Sequence, residues 1–239
     1  MCGRFALSII PARFEAMFGC APPEDLRPRY NITPDSDILA VRARADGLPE
    51  AVRLRWGMLA PWMKEADDPG RQINARSETA AEKPMFRDAF RRRRCLIPAT
   101  GFYEWQKAGQ GPARPFFVGL ATREPLAFAG IWRDSRLADG STLSSCAILT
   151  MAASPLLRPI HPRMPAMLPA AVHAAWLGPA VAAPEVLAAL LEPVPDAQLL
   201  VHEVGRAVNS PRQDDAGLMA PVADGAERRP PAPAQGSLF

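Results

Sequence analysis

Val52-Arg53-Leu54-Arg55-Trp56 sets three apolar side chains on one side of an extended chain and two arginines on the other. Successive strand residues point to opposite faces, so this period of two predicts a strand with one side against a core. The same alternation runs through Phe116, Val118 and Leu120, then through Phe128, Gly130 and Trp132. Further strands are expected over 37–45, 95–99, 102–107 and 143–151, with Gly101, Gly109, Gly111 and Gly140 as turn residues. Their spacing suggests a mainly antiparallel sheet. Helical patterns cover 11–18, 84–94, 169–176 and 184–191, each with proline at or near its start, where the missing amide is harmless. Trp56 and Trp132 follow the buried alternation and read as core.

The composition agrees with a globular chain. Of 239 residues, 48% are apolar and 22% charged, enough apolar surface to offset chain entropy and too much charge for a membrane interior. The net charge of +3 is modest, yet apart from Lys64, Lys83 and Lys107 every basic residue is arginine. Arginine's planar fork suits phosphate or carboxylate. Residues 166–194 are the most apolar stretch, but Pro169, His173, Pro179, Pro184 and Glu185 interrupt it, so no membrane span and two short amphipathic helices are expected. Arg4 breaks the first apolar run before a signal-peptide core forms, so a cytoplasmic protein is expected. Cys2, Cys20, Cys95 and Cys146 lack CxxC spacing, so no metal site is expected and the thiols should be reduced. The run 91–94 of four arginines, at a helix end, is expected to complement the helix dipole and solvate that face.

Cys2 follows the initiator methionine, whose removal makes it the N-terminus. Its α-amine (about 7.7–8.0) and thiol (about 8.5) would then both be partly nucleophilic near neutrality. An aldehyde condensing with the amine gives an imine, and the thiol closes a five-membered thiazolidine on the former aldehyde carbon. By itself Cys2 reads first as an ordinary small residue at a frayed terminus.

Four segments form a constellation: MetCysGlyArgPhe at 1–5, IleAsnAlaArgSerGluThr at 73–79, GlyPheTyrGluTrp at 101–105 and IleHisProArgMetPro at 160–165. With ArgTyrAsn at 29–31, Pro34, TrpGly at 56–57, ProTrp at 61–62, CysLeuIlePro at 95–98 and AlaValAsnSerProArg at 207–212, the sequence strongly resembles the SRAP (SOS response-associated peptidase) family over residues 1–222. The resemblance implies a single α+β domain with a curved, barrel-like, mainly antiparallel core decorated by short helices. Beyond it, residues 223–239 are rich in proline and alanine and are expected to be a disordered tail.

The resemblance further implies binding of single-stranded DNA at abasic sites and a covalent thiazolidine crosslink from Cys2 to the ring-opened sugar aldehyde, shielding the lesion in the DNA damage response. Lyase and autoproteolytic peptidase-type activities stand beside it, with no cofactor, no metal and a monomeric protein. Asn74, Glu104 and His161 match the family's active-site residues: an amide to hold the sugar, a carboxylate to move protons as the carbinolamine forms and dehydrates, and an imidazole to assist ring opening or reversal. Arg4, Arg76 and Arg163 match arginines that clamp phosphates; Pro34 and Trp62 match residues that stack on exposed bases, and Thr150 one that hydrogen-bonds the DNA backbone.

Each residue has a plainer reading. Glu104 lies opposite in face to Tyr103 and Trp105 and reads also as a solvent-facing strand residue. Asn74 reads also as a turn residue and His161 as a surface histidine between prolines. Pro162 replaces the small polar or acidic residue the family usually carries there, leaving the orientation of His161 and Arg163 open. Pro84 stands where some relatives have a basic DNA contact, with Lys83 beside it. Two other functions compete: an N-terminal-nucleophile cysteine amidohydrolase, disfavoured by GlyPheTyrGluTrp, and a non-catalytic single-stranded DNA binder.

Overall fold

The computed structural model describes residues 2–223 apart from 67, 108, 110 and 179. Of the expected tail, only Ala223 falls among them, in a turn; the rest lies outside the described residues.

Among the described residues, twelve strands form two sheets. They are β1 (Phe5–Leu7), β2 (Arg29–Ile32), β3 (Asp37–Ala43), β4 (Pro49–Trp56), β5 (Asn74–Arg76), β6 (Arg94–Ala99), β7 (Gly101–Gln106), β8 (Arg114–Leu120), β9 (Leu126–Arg136), β10 (Thr142–Ala152), β11 (Arg163–Pro165) and β12 (Leu199–Glu203). The short helices are α1 (Pro11–Phe18), α2 (Ser77–Ala80), α3 (Arg87–Arg92), α4 (His173–Leu177) and α5 (Pro184–Ala189). The α+β expectation holds.

β10 is the hub. Residues 142–148 pair antiparallel with 136–130 of β9, while Ser145 and Cys146 run parallel to Arg55 and Trp56 of β4. β9 pairs with β6, β6 with β3 and β3 with β4, so these five strands close into a ring with no free edge. Beyond Ile148, β10 takes β5 in parallel on one side and β11 antiparallel on the other. These parallel pairings are the departure from an antiparallel sheet.

The second sheet, in order β12-β8-β7-β1-β2, lays one face on the barrel. Phe5 packs edge-on against Trp56 and Phe128 with ring centroids 5.3 and 5.8 Å apart, and Phe102 meets Phe128 at 6.1 Å. Its other face carries Ala6, Tyr103 and Phe117 and is covered by Val204, Val208 and Leu218. Both faces are therefore buried. Gly101 opens β7 because nothing larger fits: a Cβ there would lie 2.5 Å from the Val118 carbonyl.

Three sequence expectations need correction. The helix expected over 84–94 spans only Arg87–Arg92, since Arg93 leaves helical geometry and Arg94 already pairs with Ile131 in β6. Arg94 does not solvate a face. It is buried, and its donors reach the carbonyls of Trp176 (2.6 Å), Phe90 (3.3 Å), Ala180 (3.2 Å), Arg91 and Gly178, so one guanidinium ties the end of α3 to the end of α4. Trp132 lies only half inside, with the guanidiniums of Arg42 and Arg93 over its ring at 4.3 and 5.1 Å from the centroid. All four cysteines are free thiols. No helix among the described residues is long and apolar enough to cross a membrane.

Candidate active site

Alternation along β7 decides where Glu104 goes. Tyr103 and Trp105 take the outer face, where the Tyr103 hydroxyl donates to the Tyr30 carbonyl (2.8 Å) and the Trp105 indole to Asn209 Oδ1 (2.8 Å). Glu104 therefore shares the inner face with Phe102, and it is 5% exposed. Burial raises its carboxyl above the usual range, opposed by the charge of the nearby His161 and by the Trp105 backbone amide.

Cys2 is fully buried on the same side, as part of the main core. Burial pushes its thiol well above the ordinary value, and the Glu104 charge pushes further in the same direction. Both favour the neutral thiol. Asn74, at the start of β5, donates from Nδ2 to the Cys2 carbonyl at 2.8 Å. Its Oδ1 is buried with no hydrogen-bond partner among the described residues, an acceptor turned inward without a donor.

His161 completes the group from the loop before β11. The Arg163 amide donates to its Nδ1 at 3.0 Å, and the Arg163 carbonyl lies 3.0 Å from the same nitrogen. A neutral ring accepts from the amide and a protonated ring donates to the carbonyl, so the imidazole is held in either charge state. Pro162 does not disturb this: the Ala153 amide donates to the Pro162 carbonyl at 3.0 Å, and the backbone runs on into β11. Residues 2, 74, 104 and 161, spread over most of the chain, meet at one place.

The arginines differ in what they hold. Arg4 Nη1 donates to Asn31 Oδ1 (2.7 Å) and to the Val208 carbonyl (2.8 Å), with the guanidinium 5.8 Å from the Trp105 ring. Asn31 in turn donates to the carbonyls of Ser210 (2.9 Å) and Gln213 (2.7 Å), and its amide donates to Asp214 Oδ1 (2.9 Å). This clasp joins ArgTyrAsn at 29–31 to residues 207–214 and braces the strand that follows Cys2. Arg163 forms a two-pronged pair with Glu78, Nη2 to Oε2 at 2.8 Å, and also donates to the Thr150 carbonyl. Thr150 is buried, with its hydroxyl 3.4 Å from Arg163 Nη2. Arg76 is exposed and makes no side-chain hydrogen bond or ion pair among the described residues. Trp62 is 62% exposed, and Pro34 lies half-buried in the turn between β2 and β3. Sequence reasoning assigned nothing to Glu78, Asn31 or Asp214; the first two sit inside quoted motifs, whereas Asp214 lies past the last. No cluster of three or more metal-ligating side chains occurs among the described residues.

A family model described as SOS response associated peptidase (SRAP) matches residues 1–211. The chain belongs to the SRAP family. Abasic site processing protein YoqW of Bacillus subtilis is 34% identical over 225 residues, covering 92% of this chain and 99% of that protein. Abasic site processing protein YedK of Escherichia coli is 31% identical over 229 residues, covering 93% and 100%. A solved protein from Bordetella bronchiseptica superimposes with a TM-score of 0.75 at 28% identity, covering 85% of this chain and all of that one. The SRAP span contains all four converging residues, and Asp214 caps the β2 amides from just beyond it.

Proposed function

We propose that this SRAP protein processes abasic sites in single-stranded DNA by forming a thiazolidine between Cys2 and the ring-opened sugar. The observation that carries this reading is the buried Glu104 carboxyl beside the Cys2 thiol, with Asn74 bonded to the Cys2 carbonyl. The relatives named abasic site processing proteins support it.

Removal of Met1 turns the Cys2 amide nitrogen into an amine. His161, held in both charge states, gives a proton to the ring oxygen as the C1–O bond breaks and takes up the proton that the C1 hydroxyl loses on becoming the aldehyde. The amine attacks the aldehyde carbon, a C–N bond forms and a proton passes from nitrogen to oxygen, giving a carbinolamine. Protonated Glu104 gives its proton to the departing hydroxyl, leaving water, an iminium and a carboxylate. The sulfur adds to the iminium carbon, the C=N π electrons move to nitrogen, and the thiol proton returns to Glu104. One water is lost and no redox step occurs. A buried thiol biased toward its neutral form fits this order, because the amine attacks first and the thiol is deprotonated only when the iminium is in place. Asn74 Oδ1 accepts a hydrogen bond from the amine or a sugar hydroxyl. Arg76 and Trp62, both exposed, are the groups placed to meet phosphate and base.

The experiment is incubation of the processed protein with an abasic single-stranded oligonucleotide, followed by denaturing electrophoresis and intact-mass measurement. The expected product is a heat-stable band with the mass of protein plus DNA less one water. Absence of that product, or its formation by protein that retains Met1, overturns the proposal.

A further inference from the structure

Of the four converging residues, Asn74 stands on, and His161 just before, strands that flank β10. Asn74 begins β5, which runs parallel to the end of β10 with Arg76 opposite Thr150. His161 precedes β11, which lies on the other edge with Arg163 opposite Ala152. Glu78, in the first turn of α2 directly after β5, reaches across that strand end to Arg163 with both carboxylate oxygens. Arg163 Nη2 bonds the Thr150 carbonyl beneath the pair. The pair is a crossbar over β10, joining the corner that carries Asn74 to the strand that carries the His161 loop. From its backbone, Arg163 also supplies both groups that hold His161 Nδ1.

We propose that Glu78 is a positioning residue for the crosslinking reaction: by fixing the Arg163 guanidinium it sets the His161 imidazole relative to Asn74. The inference rests on the reaction proposed above. An exposed ion pair contributes little to stability. Here the Arg163 side chain is only 16% exposed and bound through both prongs, so its effect is one of geometry. The charged groups around the imidazole are Glu104 from β7, Arg163 from its own segment, Glu78 behind Arg163 and, in the processed chain, the N-terminal amine. The adjoining contact from β7 is neutral, Gln106 Nε2 donating to the Pro159 carbonyl at 3.0 Å.

The test uses Glu78→Ala and Glu78→Gln in the full processed chain, with two readouts. The first is ring-nitrogen NMR of the histidines across pH, which in a protein with three histidines follows His161 beside His173 and His202 as internal controls. Glu78→Ala leaves the Arg163 charge uncompensated, so the His161 midpoint should fall by about half a pH unit while the controls stay put. The second is the crosslinking rate at saturating abasic DNA, which should fall about ten- to hundredfold, with its acid limb moving along with the His161 midpoint. Glu78→Gln keeps an acceptor on the guanidinium without the charge and should fall between. A Glu78→Ala protein that matches wild type in both readouts overturns the inference. Failure of the wild-type protein to crosslink overturns the underlying reaction instead, and is seen before any substitution is made.

Discussion

Replacing Glu104 by glutamine tests the reaction where the structure makes it most specific. The substitution preserves shape and removes one property, the capacity to donate and recover a proton. Proton transfer by a positioned side chain contributes about 10²- to 10⁴-fold, or about 2.7 to 5.5 kcal/mol of barrier. Crosslinking at saturating abasic single-stranded DNA should slow by that factor. Stability should move the other way. Glu104 is 5% exposed and its carboxyl is raised by burial, so the folded protein holds this proton to higher pH than the unfolded chain, whose glutamate titrates near about 4.3. Below that pH both states are protonated and the group is neutral to stability. As pH rises, the unfolded chain ionises freely while the folded one ionises against burial, and wild type loses stability that the glutamine variant keeps. The melting temperature of Glu104→Gln relative to wild type should therefore climb between pH 4 and neutrality, even as the rate drops. The assay is a quenched time course on denaturing gels from pH 5 to 9, paired with thermal unfolding at pH 4 and 7.5. A variant that crosslinks at the wild-type rate, or one equally destabilised at both pH values, would refute the reasoning.

Cys2→Ala keeps an N-terminal amine without the thiol, so it should bind abasic DNA but give only a hydrolysable imine, trapped by borohydride and lost on heating; a heat-stable, borohydride-independent product sinks the thiazolidine. Arg76→Ala should flatten the slope of log K against log salt by about 0.7, measured with an intact-base oligonucleotide, if this exposed guanidinium neutralises one phosphate; an unchanged slope removes Arg76 from the groove. Arg94→Ala should destabilise the fold by about 2–4 kcal/mol in urea titration, because it strips donors from carbonyls at the ends of α3 and α4, while leaving the crosslinking rate of the folded fraction unchanged.

The long elements were legible because their periodicity is local. β4, β7, β8, β9 and β10 are long enough for alternation to repeat, and Pro11 marks the start of α1 at the residue expected. Strands of three or four residues, β1, β2, β5 and β11, are too short to display a period, and they were not expected. Three of them, β1, β5 and β11, carry or adjoin Cys2, Asn74 and His161. The sequence by itself determined which residues are the candidates for the proposed chemistry, an aminothiol, an amide, a carboxyl and an imidazole within dense motifs, since residue type sets what a side chain can do. It also determined that Glu104 turns away from Tyr103 and Trp105. Only the tertiary structure decided that the face it turns to is interior, because one side of the second sheet meets the barrel and the other is covered by residues 204–218. The same holds for the arginines. Their charge is written in the sequence, but whether a guanidinium faces solvent as Arg76 does, crosses to Glu78 as Arg163 does or caps two helices as Arg94 does depends on which carboxylates and carbonyls distant strands bring within hydrogen-bond reach.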